Sequence, residues 1–92
     1  MTAPDRRRDD PVRGLYRQVY QTSKRLGITH WWAAFERKLW IALRRNGWVF
    51  EQIGPYVDYH GLRAQFLCEV AASERFQRER MPDLYRYYSG GP

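Results

Sequence analysis

Leu62–Val70 reads LRAQFLCEV, and within it Leu62, Ala64, Phe66, Cys68 and Val70 alternate strictly with Arg63, Gln65, Leu67 and Glu69. A period of two sends these sets to opposite faces of a β-strand, which makes this the cleanest strand signal in the chain. Immediately upstream, Gly61 marks a turn and Tyr56–His60 places Val57 and Tyr59 on one face. Before it, Gly54-Pro55 breaks a further alternating run, Trp48–Ile53, because proline has no N–H to give to a ladder. Ile28–Phe35 is a largely apolar stretch of the length expected for a strand covered on both faces.

Between those strands Glu36–Asn46 switches to the helical period through Leu39, Trp40, Ala42 and Leu43. Arg44 and Arg45 fall in its last turn, where cations complement the helix dipole, and Gly47 closes it. Strand, helix and strand joined by short links predict a crossover with a parallel pair, or a layered α/β unit. An earlier helix opens with Asp10 as N-cap and Pro11 at the first helical position. Val12, Leu15, Tyr16, Val19 and Leu26 follow at helical spacing, and Gly27 ends the helix in the left-handed conformation. Gly14 inside that helix costs up to about 1 kcal/mol relative to Ala, which implies a close backbone approach. Downstream, Ala71–Arg80 reads as a helix stopped by Pro82, and Asp83 caps one more turn carrying Leu84, Tyr85 and Tyr88.

Residues 1–10 are polar and charged and read as a disordered leader, residues 11–88 as one domain, and residues 89–92 as a frayed tail. The expected fold class is α/β, in the order helix, strand, helix, strand, strand, helix around a small mixed sheet. Leu15, Val19, Leu39 and Leu43 are expected to pack the helices onto it.

A chain of 92 residues buries only about 60–65% of the surface its unfolded form exposes, so its core is marginal. Its 43% hydrophobic and 16% aromatic content nevertheless sets it apart from disordered sequences. The longest apolar runs, Trp31–Phe35 and Leu39–Leu43, are five residues each, too short to span a bilayer. Arg6-Arg7-Arg8 leads into Asp9-Asp10-Pro11 rather than into the apolar stretch of a secretory signal, so the expected compartment is the cytoplasm. The single cysteine, Cys68, has no intrachain disulfide partner and no Cys or His at metal spacing, and is expected as a small buried strand residue. The net charge of +6 comes from 14 Arg against 2 Lys. That bias suits phosphate, and the field speeds encounter with any acidic partner, nucleic acid or carrier protein.

The phrases GLYRQVYQTSKRLG (Gly14–Gly27), ITHWWAAFE (Ile28–Glu36) and IGPYVDYHG (Ile53–Gly61) together resemble the C-terminal half of the bacterial PEP-CTERM/exosortase-associated acyltransferases. These are relatives of the autoinducer (acyl-homoserine-lactone) synthases and N-acyl amino acid synthases, built on the GNAT fold. The resemblance runs from Gly14 to the end of the chain. It implies the C-terminal half of a GNAT-like fold, with Leu62–Val70 lying between Thr29–Phe35 and Trp48–Ile53. It also implies part of an N-acyltransferase, inactive alone, that moves a fatty acyl group to an amino acid or similar small amine. The donor would be acyl-phosphopantetheine on an acyl carrier protein, or acyl-CoA; no bound cofactor and no metal are expected.

By the same resemblance, the Gly14–Leu26 helix would aim its N-terminal N–H groups at the pantetheine or carrier phosphate, flanked by Arg13 and Arg17. The strand Thr29–Phe35 would open a slot for the acyl arm, with Trp31 or Trp32 lining the acyl tunnel; burial of both tryptophans in the core is the alternative. Tyr56, Asp58, Tyr59 and His60 form the densest polar cluster in an apolar strand pair. An amine attacking a thioester needs a general base of near-neutral pKa, and His60, with Asp58 or Glu36 beside it, is the candidate, Tyr59 contributing to substrate binding. A hydrogen-bonded surface histidine is the alternative. An uncovered edge at Thr29–Phe35 would invite self-association. Two other readings compete: a small basic nucleic-acid-binding module using Arg6–Arg8 and stacking tyrosines, disfavoured because no named motif is present, and an inactive truncated interaction fragment.

Overall fold

The computed structural model describes the backbone of residues 4–90 and the side chains from Pro11 to Gly90. Its elements are α1 (Pro4–Leu26), β1 (His30–Phe35), α2 (Arg37–Arg45), β2 (Glu51–Gln52), β3 (Val57–Asp58), β4 (Leu62–Glu69), α3 (Val70–Arg80) and α4 (Pro82–Ser89). The sheet runs β1-β4-β2, with β3 also paired to β4. Every pairing is antiparallel, so the class is α/β but the sheet is not mixed. β1 and β2 do run the same way, yet β4 occupies the slot beside β1 along its whole length, from His30↔Glu69 to Phe35↔Ala64.

The alternation of Leu62–Glu69 sets the two faces. Ala64, Phe66 and Cys68 are buried and, through the register, share their side with Trp31, Ala33 and Phe35 of β1. Tyr20 of α1, Leu43 of α2, Tyr88 of α4, Trp48 and Phe50 complete the core on that side. On the other face Trp32, Ala34 and Gln65 are exposed, so the apolar run Ile28–Phe35 is covered on one side only, not on both. Aromatic rings fill most of the interior. Phe35 stacks on Phe66 with centroids 4.5 Å apart, and Trp48 meets Trp31 at 5.0 Å, Tyr20 at 5.6 Å and Tyr88 at 4.6 Å. Such rings each bury a large apolar area and add about 0.5–1.5 kcal/mol per well-placed pair.

Several sequence expectations are corrected. Strand β2 is confined to Glu51–Gln52 rather than Trp48–Ile53, because the backbone before it is held by α3: Val49 N–H donates to Ser73 Oγ at 3.0 Å, and Gln77 Nε2 donates to the Gly47 carbonyl at 2.9 Å. Helix α1 starts at Pro4 and runs through Pro11, so Asp10 does not cap it and the leader expected over 1–10 is helical from Pro4; residues 1–3 lie outside the described part. Its packing stripe is Val12, Tyr16, Tyr20 and Ser23, while Leu15 is 57% exposed. Leu39 is 38% exposed, and Trp40 and Leu43 make the contact of α2 instead. Nothing lies within 4 Å of a Cβ added at Gly14, so no close approach explains that glycine. Met81, not Asp83, occupies the N-cap of α4, with Pro82 at its first turn, and Ser89 of the expected tail is helical.

Leu43 is fully buried, so Leu43→Ala is expected to cost about 2–5 kcal/mol, enough to unfold much of so small a domain. Leu39→Ala and Leu15→Ala are expected to cost under about 1 kcal/mol. Urea denaturation followed by circular dichroism reads both, and equal losses at the three positions would contradict this core.

Candidate functional site

The outer face of the sheet carries the candidate site. After β2, Pro55 interrupts hydrogen bonding to the ladder, and the chain continues in the same direction into the short β3, which pairs farther along β4. The return to β4 is a tight turn in which Tyr59 N–H donates to the Gly61 carbonyl at 2.9 Å. His60 and Gly61 both take positive φ, 54° and 105°. A non-glycine residue there is uncommon, and the conformation lifts Asp58, Tyr59 and His60 into solvent. Beneath this loop lies a cavity of about 380 Å³ whose walls include Ala34 of β1, Gly54, Pro55, Val57, Tyr59 and Arg63. The walls are mainly apolar. Arg63 is the cation among them, and its Nε is buried without a hydrogen-bond partner among the described residues. A smaller cavity of about 250 Å³ continues along the face over Trp32, Ala33, Ala34 and Gln65.

The residues picked out from the sequence fall into separate places. Asp58, Tyr59 and His60 stand together at the turn, with the His60 ring edge-on to Tyr59 at 4.8 Å. Glu36, at the N-cap of α2 but making no side-chain cap bond, is brought against the same turn: a Cβ at Gly61 would sit 3.1 Å from its Oε2. No hydrogen bond joins His60 to Asp58 or Glu36 among the described residues. The four candidates are therefore neighbours without an assembled proton relay.

Trp31 and Trp32 divide by strand parity. Trp31 turns inward, donating from Nε1 to Ser23 Oγ at 2.9 Å and packing on Trp48; Trp32 turns outward and is 67% exposed beside the smaller cavity. Thr29 Oγ1 lies 2.9 Å from His30 Nδ1 at the start of β1. Arg13 and Arg17 hold helices together. Arg13 Nε donates to Asn46 Oδ1 at 2.6 Å; Arg17 Nε donates to the Tyr87 carbonyl at 2.9 Å and its guanidinium lies over the Tyr87 ring. Neither borders the outer-face cavity. Arg63, which does border it, went unmarked by sequence reasoning because it belongs to the polar half of an alternating strand; its position beside YHG is the one signal that could have found it.

The strongest electrostatic perturbation lies elsewhere, between α1 and α3. Tyr20 donates its hydroxyl to Glu74 Oε2 at 2.5 Å, and Lys24 Nζ stands 3.0 Å from the same oxygen. Burial works to raise the Glu74 pKa, but the hydrogen bonds from Tyr20 and Lys24 outweigh it and hold the carboxyl below its ordinary 4.5. Burial, and then the bond to Glu74, push Tyr20 well above its ordinary value. Cys68 is buried beside Ser73 Oγ at 3.3 Å, and burial pushes its thiol up to about 11, so it stays protonated and is no nucleophile at neutral pH.

Because the folded Glu74 carboxyl titrates below its unfolded value, it contributes stability that is present above about the unfolded pKa and is lost as pH falls through the folded one. The stability gap between the native chain and Glu74→Gln, taken from urea midpoints, is therefore expected to narrow through the acidic carboxylate range; a gap independent of pH would contradict it. The described residues hold no cluster of metal-ligating side chains, and no helix among them is long and apolar enough to cross a membrane. Comparison of the chain with protein-family models, curated proteins and solved structures finds no match in any of the three.

Proposed function

We propose that the chain is the acyl-binding part of an N-acyltransferase that moves a fatty acyl group from acyl carrier protein or acyl-CoA to an amino acid or similar small amine. One observation carries the reading. Segments that resemble the family in sequence, ITHWWAAFE and IGPYVDYHG, converge in space: Ala34 from the first and Gly54, Pro55, Val57 and Tyr59 from the second wall one apolar cavity, and Glu36 meets Gly61. A mainly apolar cleft with a few convergent polar groups is the usual form of a small-molecule site. Ala34, Pro55 and Val57 suit a hydrocarbon chain, and the Arg63 guanidinium suits an acceptor carboxylate or a carrier phosphate. The placement of β4 between β1 and β2 is the strand order a GNAT half-fold calls for.

In this reading His60 takes the proton from the attacking amine, with Asp58 or Glu36 orienting it. Since none of these side chains is hydrogen-bonded to another among the described residues, the chain by itself is expected to bind acyl donor without turning it over. Titration of the 92-residue chain with dodecanoyl-CoA, followed by tryptophan fluorescence and calorimetry, tests the binding. Saturable binding is expected, weakened about tenfold or more by Val57→Asp, which replaces an aliphatic contact that the acyl chain would cover with a charge. No saturation, or an unchanged affinity in the variant, would refute the site. Mass spectrometry of the same mixtures with added amino acids is expected to find no acylated product, and robust turnover would overturn that expectation.

A further inference from the structure

The free edge of β1 has a defined chemistry. Val70 N–H donates to the Thr29 carbonyl at 2.9 Å, and Thr29 stands opposite Val70 by the register that pairs His30 with Glu69. In an antiparallel ladder, residues that exchange hydrogen bonds alternate with residues that do not. Thr29, Trp31, Ala33 and Phe35 therefore aim their backbone groups at β4, while His30, Trp32 and Ala34 aim theirs at the opposite edge. The sheet order ends there among the described residues. Edge strands are ordinarily guarded by lysine, proline or an inward charge. HWWAAF has no lysine, proline or carboxylate.

The strand is also complementary to itself. Two copies related by a dyad perpendicular to the sheet keep outer face with outer face, which allows bonded pairing only among His30, Trp32 and Ala34. A dyad on Trp32 would set two indoles against each other. A dyad on Ala33 sets each Trp32 opposite Ala34 of the second copy, a large side chain against a small one, and on the inner face sets Trp31 opposite Phe35. Ala34 is already flanked by a cavity of about 250 Å³ over Gln65, its partner on β4. That cavity lies where the second copy's indole arrives.

We propose that the chain is a homodimer joined through β1, with the dyad at Ala33 and each exposed Trp32 seated over Ala34 and Gln65 of the other copy. The pairs Trp32 with Ala34 exchange both their N–H···O bonds, and the two sheets become one. This inference does not rest on the acyl-binding reading, although Ala34 and Gln65 border that cavity as well, and it is tested without ligand. Sedimentation of the full chain is expected to give a defined dimer, and Ala34→Lys, at an exposed position, a monomer with unchanged far-ultraviolet circular dichroism. Ala33→Cys, at the dyad and in a non-bonded pair where the two chains approach most closely, is expected to form an intermolecular disulfide under mild oxidation. Monomeric native chain, open-ended aggregation, a dimer indifferent to Ala34→Lys, or cross-linking by Trp32→Cys in place of Ala33→Cys would each overturn it.

Discussion

β4 is hydrogen-bonded along both of its edges, and among the described residues the remaining strands have no partner strand but β4. On one edge it meets β1 over the full length of that strand; on the other it is shared by two short strands, β2 toward Glu69 and β3 toward Leu62. The break between β2 and β3 is where Gly54 and Pro55 leave the ladder, and that departure hollows the outer face into a cavity. The same strand thus organises a closed aromatic core on one side and an open, partly apolar surface on the other. A single side-chain period of two produces both, because each residue that faces the helices obliges its neighbour to face away.

The segment from Gly47 to Phe50 meets the requirement for buried backbone partners in another way. Trp48 is fully buried, and its N–H returns to the Leu43 carbonyl at 2.9 Å. The adjoining groups are taken by Ser73 and Gln77, polar side chains of α3 that are themselves buried. A buried amide without a partner costs about 1–3 kcal/mol, so these bonds are conditions for seating the Trp48 ring rather than additions to it. Gly47, with φ of 93°, also makes room: a Cβ there would meet Gln77 Cγ at 3.0 Å.

What could be read from the sequence followed from periodicity, and what could not followed from packing choices that periodicity leaves open. LRAQFLCE and the helix Arg37–Arg45 announced themselves because one pattern fitted each. Trp48–Phe50 alternates like a strand, yet side chains of α3 more than twenty residues away claim its backbone. Leu15 and Tyr16 both satisfy a helical spacing, and only the rings waiting in the core select Tyr16. For the site, the local phrase YVDYHG located the turn, but adjacent tryptophans could not reveal which points inward. That depends on Trp31 facing Cys68 and Trp32 facing Leu67 across the ladder. Arg63 was hidden for the same reason, since its meaning comes from a cavity made by residues distant in the chain.

The last helix closes a structure that the first one opens. Tyr88, near the C-terminal end, is fully buried against Trp48 and donates to the Asn46 carbonyl; Gln21 and Arg17 of α1 reach the carbonyls of Tyr88 and Tyr87. During synthesis, therefore, α1 and the apolar β1 emerge long before the partners that cover them, and the core has no complete version until α4 has emerged. The nascent Trp31–Phe35 segment stays uncovered for most of that interval, the kind of transient apolar exposure from which misassociation starts.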